Sequence, residues 1–171
     1  PLAEKGALSE VFTTGITGST GAGQSLQATT HFTWRNDNVS AYKTLTHQHV
    51  DEILQQLISF NNKEVNLNFV PWRGDFARGI FTSSTMKTDL NLEEIEQLYQ
   101  DFYAEEPFVT VSRKAVDLKQ VVNTNRCVIQ IEKSGNVVVI HSAIDNLLKG
   151  ASGQAVQNMN LAMNWEENAG L

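Results

Sequence analysis

Four segments of this 171-residue chain carry residue types able to do chemistry. The first is His47-Gln48-His49, directly ahead of an apolar repeat at Val50, Ile53, Leu54, Leu57 and Ile58 whose spacing predicts a helix over 50–60. An imidazole at a helix N-terminus feels the positive end of the macrodipole. That disfavours its protonated form and keeps a neutral ring ready to exchange protons near neutral pH. Surface or capping histidines would look the same, and the pair lacks a third ligand close in sequence, so no metal is expected. The second segment is Gly18-Ser19-Thr20-Gly21-Ala22-Gly23. Its small residues permit close backbone approach to a ligand, yet a plain turn accounts for them equally well. The order G-x-x-G-x-G is not the dinucleotide fingerprint, and the lysine of a P-loop is absent.

The third segment, PWRGDFARGI at 71–80, holds Arg73 and Arg78. Either could receive an anion through bidentate contacts, or pair with Asp75 between them. The fourth is Cys127, on a predicted strand. A catalytic thiol needs a lowered pKa, and neighbouring strand residues such as Arg126 point to the opposite face, so Cys127 reads as structural. His31 and His141 have no supporting neighbours in sequence and read as structural too.

The elements that must position these residues follow from periodicity. Glu10 to Thr17, Val65 to Phe69, Gly79 to Met86 and Phe108 to Val111 read as strands. Val128 to Lys133 and Asn136 to His141 flank Ser134-Gly135 as a hairpin. Leu92, Ile95, Leu98, Tyr99 and Phe102 repeat as a helix, with Asn91 as N-cap and Glu94 completing a capping box. Gly150 to Trp165 closes the chain as a helix. Pro1 to Gly6 resembles a helix tail stopped at Gly6, and with no initiator methionine the chain reads as a fragment of something longer. The expected fold is α+β in one domain, 1–171: a mostly antiparallel sheet with helices on one face, the other face free for a second subunit.

Bulk composition narrows the function classes. Thirteen Lys and Arg against nineteen Asp and Glu leave a formal charge of −6, and no basic run offers a surface to a phosphate backbone, so nucleic acid is not an expected partner. No apolar stretch approaches the roughly 18–20 residues a membrane-spanning helix needs. A single cysteine rules out an internal disulfide and suits a reducing, cytoplasmic compartment.

Taken in order, TGSTGAG at 17–23, HFTWRNDNVSAYK at 31–43, HQHVDEI at 47–53, ARGI at 77–80, FYAEEPFV at 102–109, TNRC at 124–127, IDNLLKGASGQAVQNMN at 144–160 and NWEENAGL at 164–171 resemble the C-terminal domain of the N-acetyl-gamma-glutamyl-phosphate reductases. The resemblance implies the catalytic domain shared with glyceraldehyde-3-phosphate and aspartate-semialdehyde dehydrogenases, preceded by an NADP-binding Rossmann domain and a nucleophilic cysteine upstream of this chain. It implies reduction of an N-acyl-glutamyl phosphate to the semialdehyde, by NADP(H), in arginine biosynthesis. Cys127 matches a non-catalytic cysteine.

By position in the family phrases, His47 matches the catalytic histidine and His49 a supporting one. Arg78 is the candidate for the substrate's carboxylate or phosphate, with Ser19 and Thr20 beside it. Asn146 matches an asparagine facing the nicotinamide, with Gly153 and Gln154 close by. The helix within 150–171 would pack on the Rossmann domain, leaving Val156, Met159 and Leu161 partly exposed in this chain. A homodimer or homotetramer is implied, and the fragment alone is expected to be inactive. Trp72 stands where several members carry histidine, which bears on acyl-group preference, acetyl or succinyl. An aspartate-semialdehyde-dehydrogenase-like domain and a non-catalytic dimerisation module are the competing readings.

Overall fold

Val11, Gly15 and Thr17 are buried along β1 (Glu10–Thr17), while Glu10, Phe12 and Thr14 are exposed. This period of two turns one face of the strand to the helices and the other outward. In this computed structural model, which describes residues 1–6 and 8–171, β1 lies inside a seven-stranded sheet. The other strands are β2 (Ser40–Ala41), β3 (Asn66–Arg73), β4 (Ile80–Lys87), β5 (Val109–Ser112), β6 (Cys127–Ser134) and β7 (Val137–Ile144), in the spatial order β2-β3-β1-β4-β7-β6-β5. The sheet is mixed where mostly antiparallel pairing was expected. β1 runs parallel to β3 and β5 parallel to β6, and the other neighbours are antiparallel. Each parallel pair needs a long crossover. The first is the excursion from Gly18 to Val65, and the second is the segment from Arg113 to Arg126.

That first crossover contains the short α1 (Phe32–Arg35) and the longer α2 (His49–Asn61), which starts one residue before the predicted helix. α2 is pinned at its far end by Asn61. Its Oδ1 accepts the Leu8 N–H at 3.1 Å, and its Nδ2 donates to the Leu8 carbonyl at 2.8 Å. Opposite it, α3 (Leu92–Phe102) begins with the expected capping box: Asn91 Oδ1 accepts from Glu94 N–H at 2.9 Å, and Glu94 Oε2 from Asn91 N–H at 2.7 Å. Caps of this kind are worth about 1 kcal/mol. The two helices and the turn at Leu2–Lys5, which ends on a left-handed Gly6 as expected, cover one sheet face. The core there is Leu2, Leu8, Val11, Val65, Met86, Ile95, Tyr99, Ile129, Ile131, Val138 and Ile140.

The opposite face is covered at one end only. There the segment after β5 lays Val116, Leu118 and Val121 on Val128, Ala143 and Phe81. Phe12, 52% exposed, and Trp72, 37% exposed, lie on the open remainder of that face. The β6–β7 hairpin turns on Gly135-Asn136, one residue later than the sequence suggested, because Ser134 still pairs with Val137.

The closing helix is shorter than predicted. A π-helical turn over Leu148–Ser152 precedes α4 (Gly153–Ala162), and Asn164 at φ +54° ends it. The tail then folds back, with Asn160 Nδ2 donating to the carbonyls of Glu167 and Ala169 at 3.0 and 2.9 Å. Val156 is half-buried, and Met159, Leu161, Met163 and Trp165 are exposed. No helix among the described residues is long and apolar enough to cross a membrane.

Candidate active site

The ends of β1 and β3, the loops that leave them and the start of α2 enclose an open cleft of about 830 Å³. Thr17, Gly21, Tyr42, His47, Arg73 and Asn146 are among its walls. Chain direction explains the convergence. β1 and β3 are parallel, so both deliver their C-terminal loops to the same edge of the sheet.

His47 is fixed by the helix it precedes. Its carbonyl accepts the Val50 N–H at 2.9 Å, and its Nδ1 accepts the His49 N–H at 3.2 Å. The first amide of α2 therefore donates to the ring. This assigns the neutral tautomer with the proton on Nε2, and protonating Nδ1 would break that bond. The ring stands edge-on to Tyr42 and Phe69, each 5.5 Å away between centroids, and 4.7 Å from His49. Partial burial, then the charges of His49 and Lys43, push the His47 pKa below its ordinary value of 6.5. The start of α2 acts on this ring through one N–H, that of His49.

The glycine-rich loop is laced to the arginine loop opposite. Gly18 N–H donates to the Gly79 carbonyl at 2.9 Å, Ser19 N–H to Phe76 at 2.8 Å, and Thr20 N–H to Ala77 at 3.2 Å. Both hydroxyls follow, Ser19 Oγ to Phe76 O at 3.3 Å and Thr20 Oγ1 to Ala77 O at 2.5 Å. A Cβ on Gly18 would sit 2.5 Å from the Ala77 carbonyl oxygen, so this lacing needs glycine. Ser19 and Thr20 thus commit their side chains to holding the loop, while Gly21 and Ala22 face the cleft.

Asn146 joins the two loops. Its Oδ1 accepts the Gly79 N–H at 2.7 Å, and its Nδ2 donates to Thr20 Oγ1 at 2.9 Å. Beside it, the sequence reading missed Asp145, which is fully buried. Its carboxylate accepts Arg78 Nη2 at 3.0 Å and the N–H groups of Asn123, Leu147 and Leu148 at 2.7, 2.8 and 2.9 Å. Burial pushes this carboxyl up, but those four donors outweigh it and hold the pKa below the usual 3.8. The available signal was an acid directly after an apolar strand and directly before a turn, the place where a side chain caps free amides.

The other expected site residues spread around this knot. Arg78 turns to Asp145 and is not among the residues walling the cleft, and neither arginine of its loop pairs with Asp75. Asp75 Oδ2 instead accepts the Asp37 N–H at 2.6 Å. Gly153 is buried, where a Cβ would lie 2.2 Å from Asn125 Oδ1. Gln154 Nε2 donates to Asn158 Oδ1 at 2.9 Å on α4. Both residues lie outside the cleft wall. Cys127 is half-buried on β6. Burial pushes its thiol pKa up, only partly opposed by Lys149, which is the state of an unreactive cysteine.

His31 caps α1 by accepting the Thr33 N–H. His141 is better connected than its sequence neighbours suggested. It meets Ser83 Oγ at 2.8 Å and Glu132 Oε2 at 3.2 Å, partners from β4 and β6 on the open sheet face. Among the described residues no three His, Cys, Asp or Glu side chains converge as a metal site.

Known proteins resemble this chain in sequence and in fold. Residues 1–146 match the family described as semialdehyde dehydrogenase, dimerisation domain. The chain is 54% identical over 173 positions to the N-acetyl-gamma-glutamyl-phosphate reductases of Phocaeicola vulgatus and Bacteroides fragilis, and 51% identical over 175 positions to that of Christiangramia forsetii. In each case all of this chain aligns with 54% of the relative, so it spans about half the length of the curated relatives it matches. Among solved structures, aspartate semialdehyde dehydrogenase II from Vibrio cholerae superposes with a TM-score of 0.72 at 12% identity, over 96% of this chain and 57% of that one. A probable aspartate-semialdehyde dehydrogenase from Pseudomonas aeruginosa superposes with a TM-score of 0.69 at 12% identity, over 95% and 58%. These superpositions establish the fold, and the family match over 1–146 establishes membership: the chain belongs to the semialdehyde dehydrogenase dimerisation-domain family.

Proposed function

We propose that this chain is the catalytic and dimerisation half of an NADP-dependent reductase of arginine biosynthesis, acting on an N-acyl-glutamyl 5-phosphate to give the 5-semialdehyde. The observation that carries the reading is His47: an imidazole held neutral by a helix amide, in a cleft that contains no thiol of its own. Such a ring suits donating its Nε2 proton to the oxygen that develops negative charge, and it can take a thiol's proton at Nε2 only once its own proton has moved to Nδ1 and the His49 N–H has been released. Cys127, raised by burial and outside the cleft, is not that thiol. An apolar groove walled by Pro1, Leu2, Ile53, Leu57, Tyr99 and Ile140 runs into the cleft, the two sharing Thr13, Ile53, Thr82 and Ser84. A helix continuing backward from Leu2 along it would bring a cysteine from the preceding segment towards His47. That thiolate attacks the acyl phosphate, phosphate leaves, and the resulting thioester is reduced to the aldehyde.

Bound NADPH would supply the hydride. Asn146 and Gly150 border the cleft where its ring would be received, and Asn146 Nδ2 retains one hydrogen beyond the bond to Thr20. Gly153 and Gln154 follow on the adjoining helix. Arg78 would meet the substrate's carboxylate or phosphate through the part of its guanidinium that Asp145 leaves free, and Ser19 and Thr20 set the shape of the loop beside it. His49 supports His47 through its backbone amide. The open sheet face with Phe12 and Trp72 would pair with a second copy in a homodimer or homotetramer, and the exposed side of α4 would rest on the nucleotide-binding half. A lone cysteine in a chain of this composition accords with a cytoplasmic enzyme.

The test is NADPH oxidation by the full-length protein offered N-acetyl-glutamyl 5-phosphate, N-succinyl-glutamyl 5-phosphate or aspartyl 4-phosphate. Turnover of an acyl-glutamyl substrate, with none from the 171-residue chain alone, is expected. Turnover of aspartyl phosphate only would give the sister reaction, and none with any substrate would leave a dimerisation module.

A further inference from the structure

The cleft beside His47 carries a charge pattern that proton transfer does not use. Its wall contains the cations Lys43 and Arg73 and no aspartate or glutamate, in a chain whose formal charge is −6. Acids placed elsewhere and bases gathered in a hollow focus a positive potential there. Arg73 is the last residue of β3, on the same face as Phe69 and Pro71. Its guanidinium carbon lies 4.6 Å from the centroid of the Tyr42 ring. Among the described residues the arginine ion pairs are Arg78–Asp145 and Arg113–Glu96, so Arg73 has no carboxylate. Its Nε is buried and makes no hydrogen bond. Asp75, the acid nearest in sequence, is spent on the Asp37 amide.

The residue behind it adds to the field. Arg35, 5% exposed, donates to the carbonyls of Thr29, Asn38 and Arg73 and to Ser40 Oγ, all of them uncharged acceptors. A half-buried guanidinium with an idle donor and no counter-charge costs the folded chain stability, and an anionic ligand removes that cost. Tyr42 also sets the spacing. Its ring carries Arg73 on one contact and meets His47 on another, at 5.5 Å, so one aromatic side chain separates the cation from the imidazole.

We propose that Arg73 is a specificity-determining residue that receives a carboxylate of the substrate remote from the reacting carbonyl, with Lys43 reinforcing the field at the rim. An acyl-glutamyl phosphate presents two anionic groups, the phosphate at the reacting end and the α-carboxylate at the other end of the glutamyl chain. This assignment gives the carboxylate to Arg73. The identity of the carboxylate rests on the reductase reading, but the anion site itself does not.

The experiment compares the full-length wild-type protein with Arg73→Gln and Arg73→Lys. One readout is the split between KM and kcat for the acyl-glutamyl phosphate. The other is the shift in thermal midpoint produced by glutarate or by inorganic phosphate. Arg73→Gln is expected to raise KM roughly 10- to 100-fold with little change in kcat, the scale of a lost charge-assisted contact, and Arg73→Lys to restore part of it. Glutarate should raise the midpoint of the wild type and not of Arg73→Gln, while phosphate acts equally on both. An unchanged KM in a turning-over enzyme, or equal glutarate shifts in the two proteins, overturns the proposal. Loss of the phosphate shift with the glutarate shift retained overturns the carboxylate assignment. If neither wild type nor variants turn over, the reductase reading fails, and the glutarate comparison still decides whether Arg73 binds an anion.

Discussion

Replacing His47 by alanine in the full-length protein is expected to lower reductase turnover by roughly 10²-fold or more, the scale of a lost general acid–base group. The geometry gives the effect a pH signature. Nδ1 is occupied by the His49 N–H, so the resting ring is neutral and offers its Nε2–H as a donor. Partial burial and the nearby His49 and Lys43 lower its proton affinity, so wild-type activity should persist as pH falls past 6.5 and decline only at more acid pH, when the ring protonates. In the alanine variant that acid limb disappears along with most of the rate. The same shift acts on stability. Below pH 6.5 the unfolded chain binds a proton that the folded ring refuses until lower pH. Folding therefore loses stability as pH drops through that window, and His47→Ala removes the loss. Steady-state rates and denaturation midpoints across that range check both halves, and an unchanged rate would remove His47 from its role.

The second large effect belongs to Asp145. Asp145→Ala is expected to destabilise the fold by about 3–5 kcal/mol, the range found when one partner of a buried ion pair is removed. Arg78 would lose its counter-charge, and three backbone N–H groups, Leu147 and Leu148 at the entry to the π-helical turn and Asn123 in the crossover before β6, would lose their acceptor. The loops that meet at Asn146 hang from the same point, so turnover should fall along with stability. Because the folded carboxyl is held below 3.8, its contribution is fully present above that pH and is lost as pH falls through the folded value. Urea denaturation at neutral pH and near pH 3 reads this directly. The gap between wild type and variant should narrow in acid, and a constant gap would mean that the charge is not what matters.

What could be read from the sequence was local. The capping box of Asn91 and Glu94 spans three residues and was legible, as was β1 with its period of two. The placement of His47 was legible because the helix that holds it starts two residues later. Arg78 and Arg73 were not distinguishable from the residues themselves, since what separates them is a carboxylate on Asp145, 67 positions after Arg78, and the lack of an ion pair at Arg73 among the described residues. His141 looked isolated for the same reason, its partners Ser83 and Glu132 being brought to it by strand pairing. The parallel pairings of β1 with β3 and β5 with β6 follow from which elements the crossovers can span, and alternation within a strand says nothing about that.

His47 is worth its place only if it serves a sulfur from outside this chain, and the mass of the protein can report that. Full-length wild type and His47→Ala are mixed with N-acetyl-glutamyl 5-phosphate, NADPH is withheld, and each is digested and weighed at successive times. An acyl group should accumulate quickly on a wild-type cysteine from the segment before Pro1, slowly on the same cysteine in His47→Ala, and never on Cys127. Acylation of Cys127, or equal rates in the two proteins, would contradict the account.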